Sequence, residues 1–569
     1  MLGNKLLHLK RKAERAIMKI TEDYRVKDAD FNMHKITIPK YDSEKMQKVT
    51  KENPRWVHFG AGNLYRCFHA QVASELLDMG EMQEGIVVAE TFGEDLIEEV
   101  YHAQKNRSLT VTMKADGSFT KELIASTAEA LFFHRNKPVE VERLTNIFKA
   151  PSLQLATFTI TEKGYAIKDS QGNLLEQVIH DIACGVHFAK LENTMAKIAY
   201  LLHERFLAGQ LPIAMVSTDN FSHNGDRFKA AVLEIAKGWV SAGHVDAAFV
   251  NYLQAGEKVS FPYSMIDRIT PLPSDAIAKT LREEGIEGME PFLSKNQKMN
   301  LAAFVNTEEV HYLAIEEDFP NGRPALEKAS GVFLGNRDTI NKADLMKVCT
   351  CLNPLHTALA VFGCMLGFER IYEEVQDKDL CSLIEQIGFI EGLPVVENPG
   401  IIDPKEFINE VIYKRFANPN VPDAPQRIAT DTSQKVGIRF GETLRAYVEA
   451  PDKDVTKLHF IPLTIAAWCR YLLGIDDEGN SFEVSPDPLY KELYKLLSEI
   501  KLGDTDKGKV HQALEPILSN SSIFGLDLYE IGLGKRIEQY FMRMIAETNA
   551  LRSILQEELK LHAQDITER

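Results

Sequence analysis

Positive charge, paired cysteines and long apolar runs are what this 569-residue chain has least of. Lys and Arg number 65 against 82 Asp and Glu, a formal net charge of −17. A surface of that sign has no general grip on nucleic acid or anionic lipid, so neither nucleic acid nor membrane is expected as a partner. No uninterrupted apolar stretch approaches the length of a membrane span. The first twenty residues, MLGNKLLHLKRKAERAIMKI, are basic and read as a solvated amphipathic helix. They lack the continuous apolar core and small-residue cleavage site of a secretory signal. The seven cysteines, Cys67, Cys184, Cys349, Cys351, Cys364, Cys381 and Cys469, are odd in number and contain no C-x-x-C. Reduced thiols in a cytoplasmic protein are the simplest account. Cys349 and Cys351 would point about 200° apart on a helix. That does not suit a shared zinc, so no metal site is expected.

What is present is an ordinary globular composition, 44% hydrophobic and 26% charged, with length for two large domains. Residues 1–50 read as a polar, lysine-rich extension. At Trp56 the texture changes. The stretch WVHFGAGNLYRCFH (56–69) places Gly60 and Gly62 directly after an apolar run. These are the first two glycines of G-x-G-x-x-G, but Tyr65 stands at the third position, so the motif alone does not separate a cofactor loop from a tight turn. YRCFHAQVASELLDMG then has helical spacing and a glycine stop, and GIVVAE is a second apolar strand ending in Glu90. Strand, glycine turn, helix, strand and acid follow one another as in a mononucleotide-binding βαβ unit. Glu90 lies 28 residues beyond Gly62. A carboxylate there accepts from ribose hydroxyls and repels a 2′-phosphate, which favours NAD over NADP.

SLTVTMKA, LQLATFTIT and PIAMVSTDN read as further strands. The last two run into the polar loops TITEKGY (159–165) and STDNFSHNG (217–225). Polar loops at strand carboxyl ends are where open α/β sheets do chemistry, although Asp, Asn and Gly are common in any turn. From about residue 306 the periodicity is mostly helical. ADLMKVCTCLNPLHTALAVFGCMLGF is apolar yet carries Lys347, Asn353 and His356. Pro354 is expected to kink or break that helix. A lysine in a dehydrated cleft can take a proton from an alcohol. An asparagine amide can donate to a developing oxyanion, and a histidine can orient it. A snorkelling lysine and a satisfied core histidine are the plain alternatives. The tyrosine–lysine pairs Tyr41/Lys45 and Tyr101/Lys105 fall too early for a Y-x-x-x-K catalytic helix.

VHFGAGNLYR, TITEKGY, STDNFSHNG, MIDRITP, CLNPLHTALA, YKRFANP and RIATDTSQK occur in that order between Trp56 and Phe541. Together they resemble the polyol-specific long-chain dehydrogenases, the mannitol dehydrogenase family, which includes mannitol 2-dehydrogenase, fructuronate reductase (mannonate oxidoreductase) and tagaturonate reductase. The resemblance implies a cofactor loop at 56–66, the missing third glycine being normal for the family. It implies an α/β architecture: an extension (1–50), a Rossmann-like NAD-binding domain (51–305) and a mainly helical substrate domain (306–569).

It further implies a zinc-independent oxidoreductase of carbohydrate metabolism that moves hydride between NAD and a sugar acid or polyol. D-mannonate/D-fructuronate is the preferred pair, because Arg427, Lys435 and His223 supply positive charge in an acidic protein. Mannitol 2-dehydrogenase and tagaturonate reductase are the alternatives within the family, and a non-catalytic nucleotide-binding regulator the alternative outside it. Position by position, Lys347 is the general acid/base, Asn220 and Asn353 form the oxyanion hole, and His356 orients substrate. Arg427, Lys435, His223 and Asp267 bind substrate, and Asp344 lies on the proton path. Phe59, Gly60, Gly62, Asn63, Arg66, Glu90, Thr161, Glu162 and Lys163 hold the cofactor. A small-molecule substrate and a monomer or small homo-oligomer are expected. In one place the chain departs from the family: the pattern is K-x4-N-x2-H, whereas five residues, VCTCL, separate Lys347 from Asn353. The extra residue turns a regular helix by about 100°, unless a π-bulge absorbs it.

Overall fold

A run of buried, β-rich segments alternating with amphipathic helices forces a sheet covered on both faces, and that is what the computed structural model shows. It describes residues 17–566. The chain divides into two compact units, the first ending at Asn341 and the second running from Lys342 and also taking in Lys114–Gly117.

The first unit is built on six strands: β1 (Trp56–Phe59), β2 (Ile86–Glu90), β3 (Thr127–Phe132), β4 (Leu155–Phe158), β5 (Ile213–Ser217) and β6 (Val259–Ser260). Their spatial order is 3-2-1-4-5-6 and every pairing is parallel. This is the dinucleotide-binding order, with its reversal between β1 and β4. Every residue of β1, β2, β4 and β5 is buried, as a parallel sheet sandwiched by helices requires. Alternation along the strands divides the core. Val57, Phe59, Val87, Ala156 and Phe158 face one cluster with Leu144, Ile198 and Phe228. Trp56, Ile86, Val88 and Leu155 face another with Val72 and Leu76 of helix α1 (Ala70–Met79).

The strand Ser108–Met113 is present but sits in a second, mixed sheet, between Phe119–Ile124 and Phe304–Glu308. Its place beside β2 is taken by β3, TAEALF, whose Ala and Glu gave no strand signal. Residues 17–55 are part of this unit. Ile36–Thr37 pairs with Phe119–Ile124, Tyr24 and Phe31 are fully buried, and the Arg107 guanidinium lies 5.2 Å from the centre of the Tyr24 ring. Most of the helix expected over residues 1–20 lies outside the described residues. A three-stranded sheet of Ser264–Asp267, Tyr312–Glu316 and Val332–Gly335 completes the unit, so strands continue well past residue 305.

The second unit is helical. Helix α2 (Asn353–Leu366) is buried along almost its whole length and packs on α3 (Phe460–Tyr471). The helical run from Arg337 to Leu366 is long and apolar enough to cross a membrane by length and composition alone, but most of it is enclosed by protein. All seven cysteines are free thiols. Burial pushes the Cys349 thiol up to about 12, so the pair two residues apart is unreactive core.

Candidate functional site: the glycine loop and the cationic helix cluster

The glycine loop leaves β1 at the point where strand order reverses. Gly60 adopts φ +101°, and a Cβ there would lie 2.2 Å from the Thr159 carbonyl oxygen. Its N–H donates to the Ala89 oxygen at 2.9 Å. Only glycine lets β1 pass this close to the end of β4. Gly62 is different: a Cβ there would meet no protein atom within 4 Å, so open space lies above it. The loop is fastened from three sides. The Ala61 N–H donates to Glu90 Oε2 at 2.9 Å, the Tyr101 hydroxyl donates to the Ala61 oxygen at 2.7 Å, and Arg66 donates to Asn63 Oδ1 at 2.7 Å. Arg66, 1% exposed, also donates to the Ala302 oxygen. Phe59 stacks on Phe158 with ring centres 4.7 Å apart. Both of these side chains are spent on the protein's own core.

Below the loop lies a polar seam that the sequence did not reveal. Both His58 nitrogens meet hydroxyls, Nδ1 with Thr157 at 2.7 Å and Nε2 with Thr159 at 2.9 Å. Thr159 in turn donates to the Gly60 oxygen at 3.2 Å. Burial drives the His58 pKa well below its ordinary value, so the ring is neutral and donates through one nitrogen and accepts through the other. His69 is likewise held down by burial, to about 3.

Glu90 is buried and heavily engaged. Its Oε1 accepts from the Thr91 and Phe92 N–H groups while Oε2 holds Ala61. Next to it a cavity of about 420 Å³ opens at the ends of β2 and β3, lined by Thr91, Phe92, His134, Arg135, Glu192 and Lys197.

The loops after β4 and β5 are tied together by a residue that motif reading passed over. Asp219 accepts from the Ile160 and Thr161 N–H groups at 3.0 and 2.8 Å and from the Tyr165 hydroxyl at 2.8 Å. Burial pushes its pKa up, against these three donors. The clamp holds Thr161 at φ +62° and leaves Thr161, Glu162 and Lys163 exposed, Glu162 paired with Arg227. Asn220 and His223 are exposed on the adjoining loop, His223 meeting Asn341 at 3.1 Å and stacking on Tyr263. Asp267 ends the strand Ser264–Asp267, half-buried.

In the second unit the extra residue has a visible consequence. Met346–Cys351 is a π-helical turn, and the Leu352 N–H donates to the Lys347 oxygen five residues back at 3.2 Å. An i→i+5 turn takes in one residue more than an α-turn. That is the same excess the chain carries over the K-x4-N spacing that the family resemblance leads one to expect. Leu352 then breaks from helical geometry and α2 starts at Asn353, with Pro354 in its first turn, where its missing N–H costs nothing. Lys347 and Asp344 are both buried, at 3% and 7% exposure.

His356 lies one turn into α2, its Nε2 3.4 Å from Asp423 Oδ2. Asp423 also pairs with Arg427. Burial opposes its ionisation, but His356 and Arg427 hold its carboxyl down at about 2. Burial lowers the His356 pKa against the pull of that carboxylate. Arg439 donates to Thr357 Oγ1, and burial lowers it to about 10. Lys435, donating to the Thr430 oxygen, is lowered first by burial and then by repulsion from Arg439, with a smaller push from Arg427. Three cations thus crowd one side of α2; Asp423 pairs with His356 and Arg427, and Asp431 and Asp487 partly offset the charge of Lys435. Arg427 and Lys435 were legible in RIATDTSQK. Asp423 and Arg439 were not, since a Pro/Asp-rich loop and a helical arginine are unremarkable in sequence.

Two family models cover the chain. Residues 54–328 match the mannitol dehydrogenase Rossmann domain and residues 340–545 the mannitol dehydrogenase C-terminal domain. The chain belongs to the mannitol dehydrogenase family. It is 51% identical to the D-mannonate oxidoreductase of Thermotoga maritima over 520 residues, 91% of this chain and 95% of that one. The Escherichia coli D-mannonate oxidoreductase is 27% identical, covering 86% and 91%. Among solved structures, Pseudomonas fluorescens mannitol 2-dehydrogenase, in a ternary complex with NAD and D-mannitol, is 25% identical with a TM-score of 0.64 and covers 92% of this chain and 97% of its own. Substrate-free D-sorbitol dehydrogenase shares the fold at a TM-score of 0.74 and 24% identity, over 91% and 97%. Like its relatives, this mannitol dehydrogenase family member is an oxidoreductase with a Rossmann-type first domain and a helical second one.

Proposed function

We propose that this enzyme interconverts D-mannonate and D-fructuronate with NAD, and that the cation cluster of Arg427, Lys435 and Arg439 is what selects the sugar acid. A neutral polyol has no use for three crowded cations, whereas a substrate carboxylate relieves their mutual repulsion and accepts their hydrogen bonds. The 51% identity to a D-mannonate oxidoreductase supports the same substrate. NAD fits the first unit: the open space above Gly62 suits a pyrophosphate, and the cavity beside Glu90 suits the adenosine half. When bound, NAD supplies the hydride acceptor. Lys347 takes the substrate's hydroxyl proton as its carbon is oxidised and passes it on by way of Asp344. Asn353, at the head of α2, donates to the oxygen, and His356, fixed by Asp423, orients it. Asn220 keeps the oxyanion role that family resemblance gives it, and His223 and Asp267 their substrate roles. We also propose that the first unit carries the cofactor and the second the substrate-selecting residues, in a cytoplasmic enzyme.

The deciding experiment is NADH oxidation with fructuronate, tagaturonate and fructose side by side. Fructuronate is expected to give the highest kcat/KM. Fructose in first place would make the enzyme a mannitol 2-dehydrogenase and remove the role given to the cations. No oxidation with any of the three would favour a non-catalytic nucleotide-binding protein.

A second expectation concerns the cofactor. NADH should bind more tightly than NADPH in fluorescence titration. Glu90→Ala should weaken NADH and narrow the gap, because the same carboxylate both repels a 2′-phosphate and holds the loop at Ala61. Equal affinities for the two nucleotides in the unmutated protein would refute the role given to Glu90.

A further inference from the structure

Three potential ligands meet in the second unit, outside every residue assigned above. His459 stands at the start of α3, and Glu558 and His562 lie one turn apart on helix α4 (Ala550–His562). One donor atom from each falls within 4.8 Å of the other two. We propose that His459, Glu558 and His562 form a divalent transition-metal site, best suited to zinc, that ties the C-terminal helix to the start of α3.

The case begins with the imidazoles. Their rings are stacked, with centres 3.7 Å apart and planes at 11°, so the half-exposed His562 ring must turn out of the stack for both in-plane lone pairs to meet one ion. Two protonated rings at that distance would repel strongly, so at least one is neutral. A neutral imidazole presents a lone pair, as metal ligation requires. The third ligand is a carboxylate only 3% exposed. A buried carboxylate is costly unless compensated, and Glu558 is compensated: Oε1 accepts from Arg543 at 2.6 Å and Oε2 from the Tyr540 hydroxyl at 2.9 Å. These bonds orient it towards the histidines, with His562 Nε2 3.5 Å from Oε2. Outer partners of this kind are what fix ligating carboxylates in metal sites.

The backbone at His459 is clamped as well. Glu391 accepts the N–H groups of His459, Phe460 and Ile461 at 2.6, 2.8 and 2.7 Å. His459 therefore cannot drift from α4 without breaking the start of α3. Two nitrogens and one carboxylate oxygen are a set that binds zinc with a fourth position left over. That position has somewhere to face: a cavity of about 290 Å³ opens beside both histidines, with Asp452 and Asp454 on its wall. Glu558 and His562 lie beyond residue 545, where the family match ends.

The test uses the full-length, tag-free protein, stripped with a chelator, dialysed and titrated with Zn²⁺ or Co²⁺. One equivalent per chain is expected to be retained after dialysis, and Co²⁺ to give the visible absorption of a four- or five-coordinate ion. His562→Ala, at the half-exposed end of a helix, should weaken binding at least about 100-fold. Saturating zinc should raise the unfolding temperature of the unmutated protein by roughly 5–10 °C and leave that of His562→Ala unmoved. NADH oxidation should survive metal removal, since the proton chemistry rests on a lysine and amides. Failure to retain metal, or retention in His562→Ala and in His459→Ala equal to that of the unmutated protein, would overturn the proposal.

Discussion

Lys347→Ala is expected to bind NADH as the unmutated enzyme does and to turn over about two to four orders of magnitude more slowly, the usual worth of a positioned acid/base. Cofactor binding should be spared because the glycine loop, Glu90 and the Asp219 clamp all belong to the first unit. Turnover should fall because no other group assigned to the second unit can exchange a proton with the substrate in the same way. Asn353 has no proton to give up, and His356 is committed to Asp423. Small primary amines are expected to restore part of the rate by filling the vacated space. Steady-state kinetics beside an NADH titration separates the two readouts. Retention of most of the activity would mean that the π-turn does not deliver Lys347 to the substrate, and His356 would be the next base to examine.

Gly60→Ala and Gly62→Ala should part company in a way that tells a cofactor loop from a tight turn. At Gly60 the new methyl would sit 2.2 Å from a backbone oxygen and hold φ at +101°. Neither atom is the end of a flexible side chain, so β1 and β4 must separate. That should lower the unfolding temperature by several degrees and NADH affinity by at least about 100-fold, since left-handed strain alone costs about 1–2 kcal/mol before the overlap is counted. At Gly62 the methyl meets no protein atom. Stability should be unchanged there, and only nucleotide affinity should fall, because the space it fills is the space the pyrophosphate needs. Calorimetry and NADH titration of the two variants give the comparison. Unchanged NADH affinity in Gly62→Ala would mean that the nucleotide does not pass over this loop.

Much of the first unit was legible because its signals are local. Val57, Phe59, Val87 and Val88 are buried on both faces of a sheet and read as apolar runs. Gly60 must be glycine for a reason of backbone geometry, and Glu90 ends its strand visibly. Strand β3 was not legible, because Ala, Glu and Leu favour helix and only the neighbouring β2 makes a strand of them. The second sheet escaped for a similar reason: Ile36–Thr37 is two residues long and acquires meaning from a partner some eighty positions away. In the helical unit, Lys347, Asn353, His356, Arg427 and Lys435 stood out as polar residues in apolar or motif-bearing stretches. Asp423 and Arg439 owe their importance to what lies beside them in space. Glu558 and His562 are one helical turn apart, but His459 lies far from them in sequence and only the fold brings the three together, and the cysteines, which spacing rules examine first, are free thiols, five of them buried.

The π-turn at Met346–Cys351 bears on how such a chain can be inherited. An added residue in an exposed loop is tolerated, whereas one inside a buried helix ordinarily swings everything after it by about 100°, out of its packing. Here the surplus is confined to one widened turn, and α2 begins afresh at Asn353. A packed helix can therefore change length by a single codon while the faces on either side keep their neighbours.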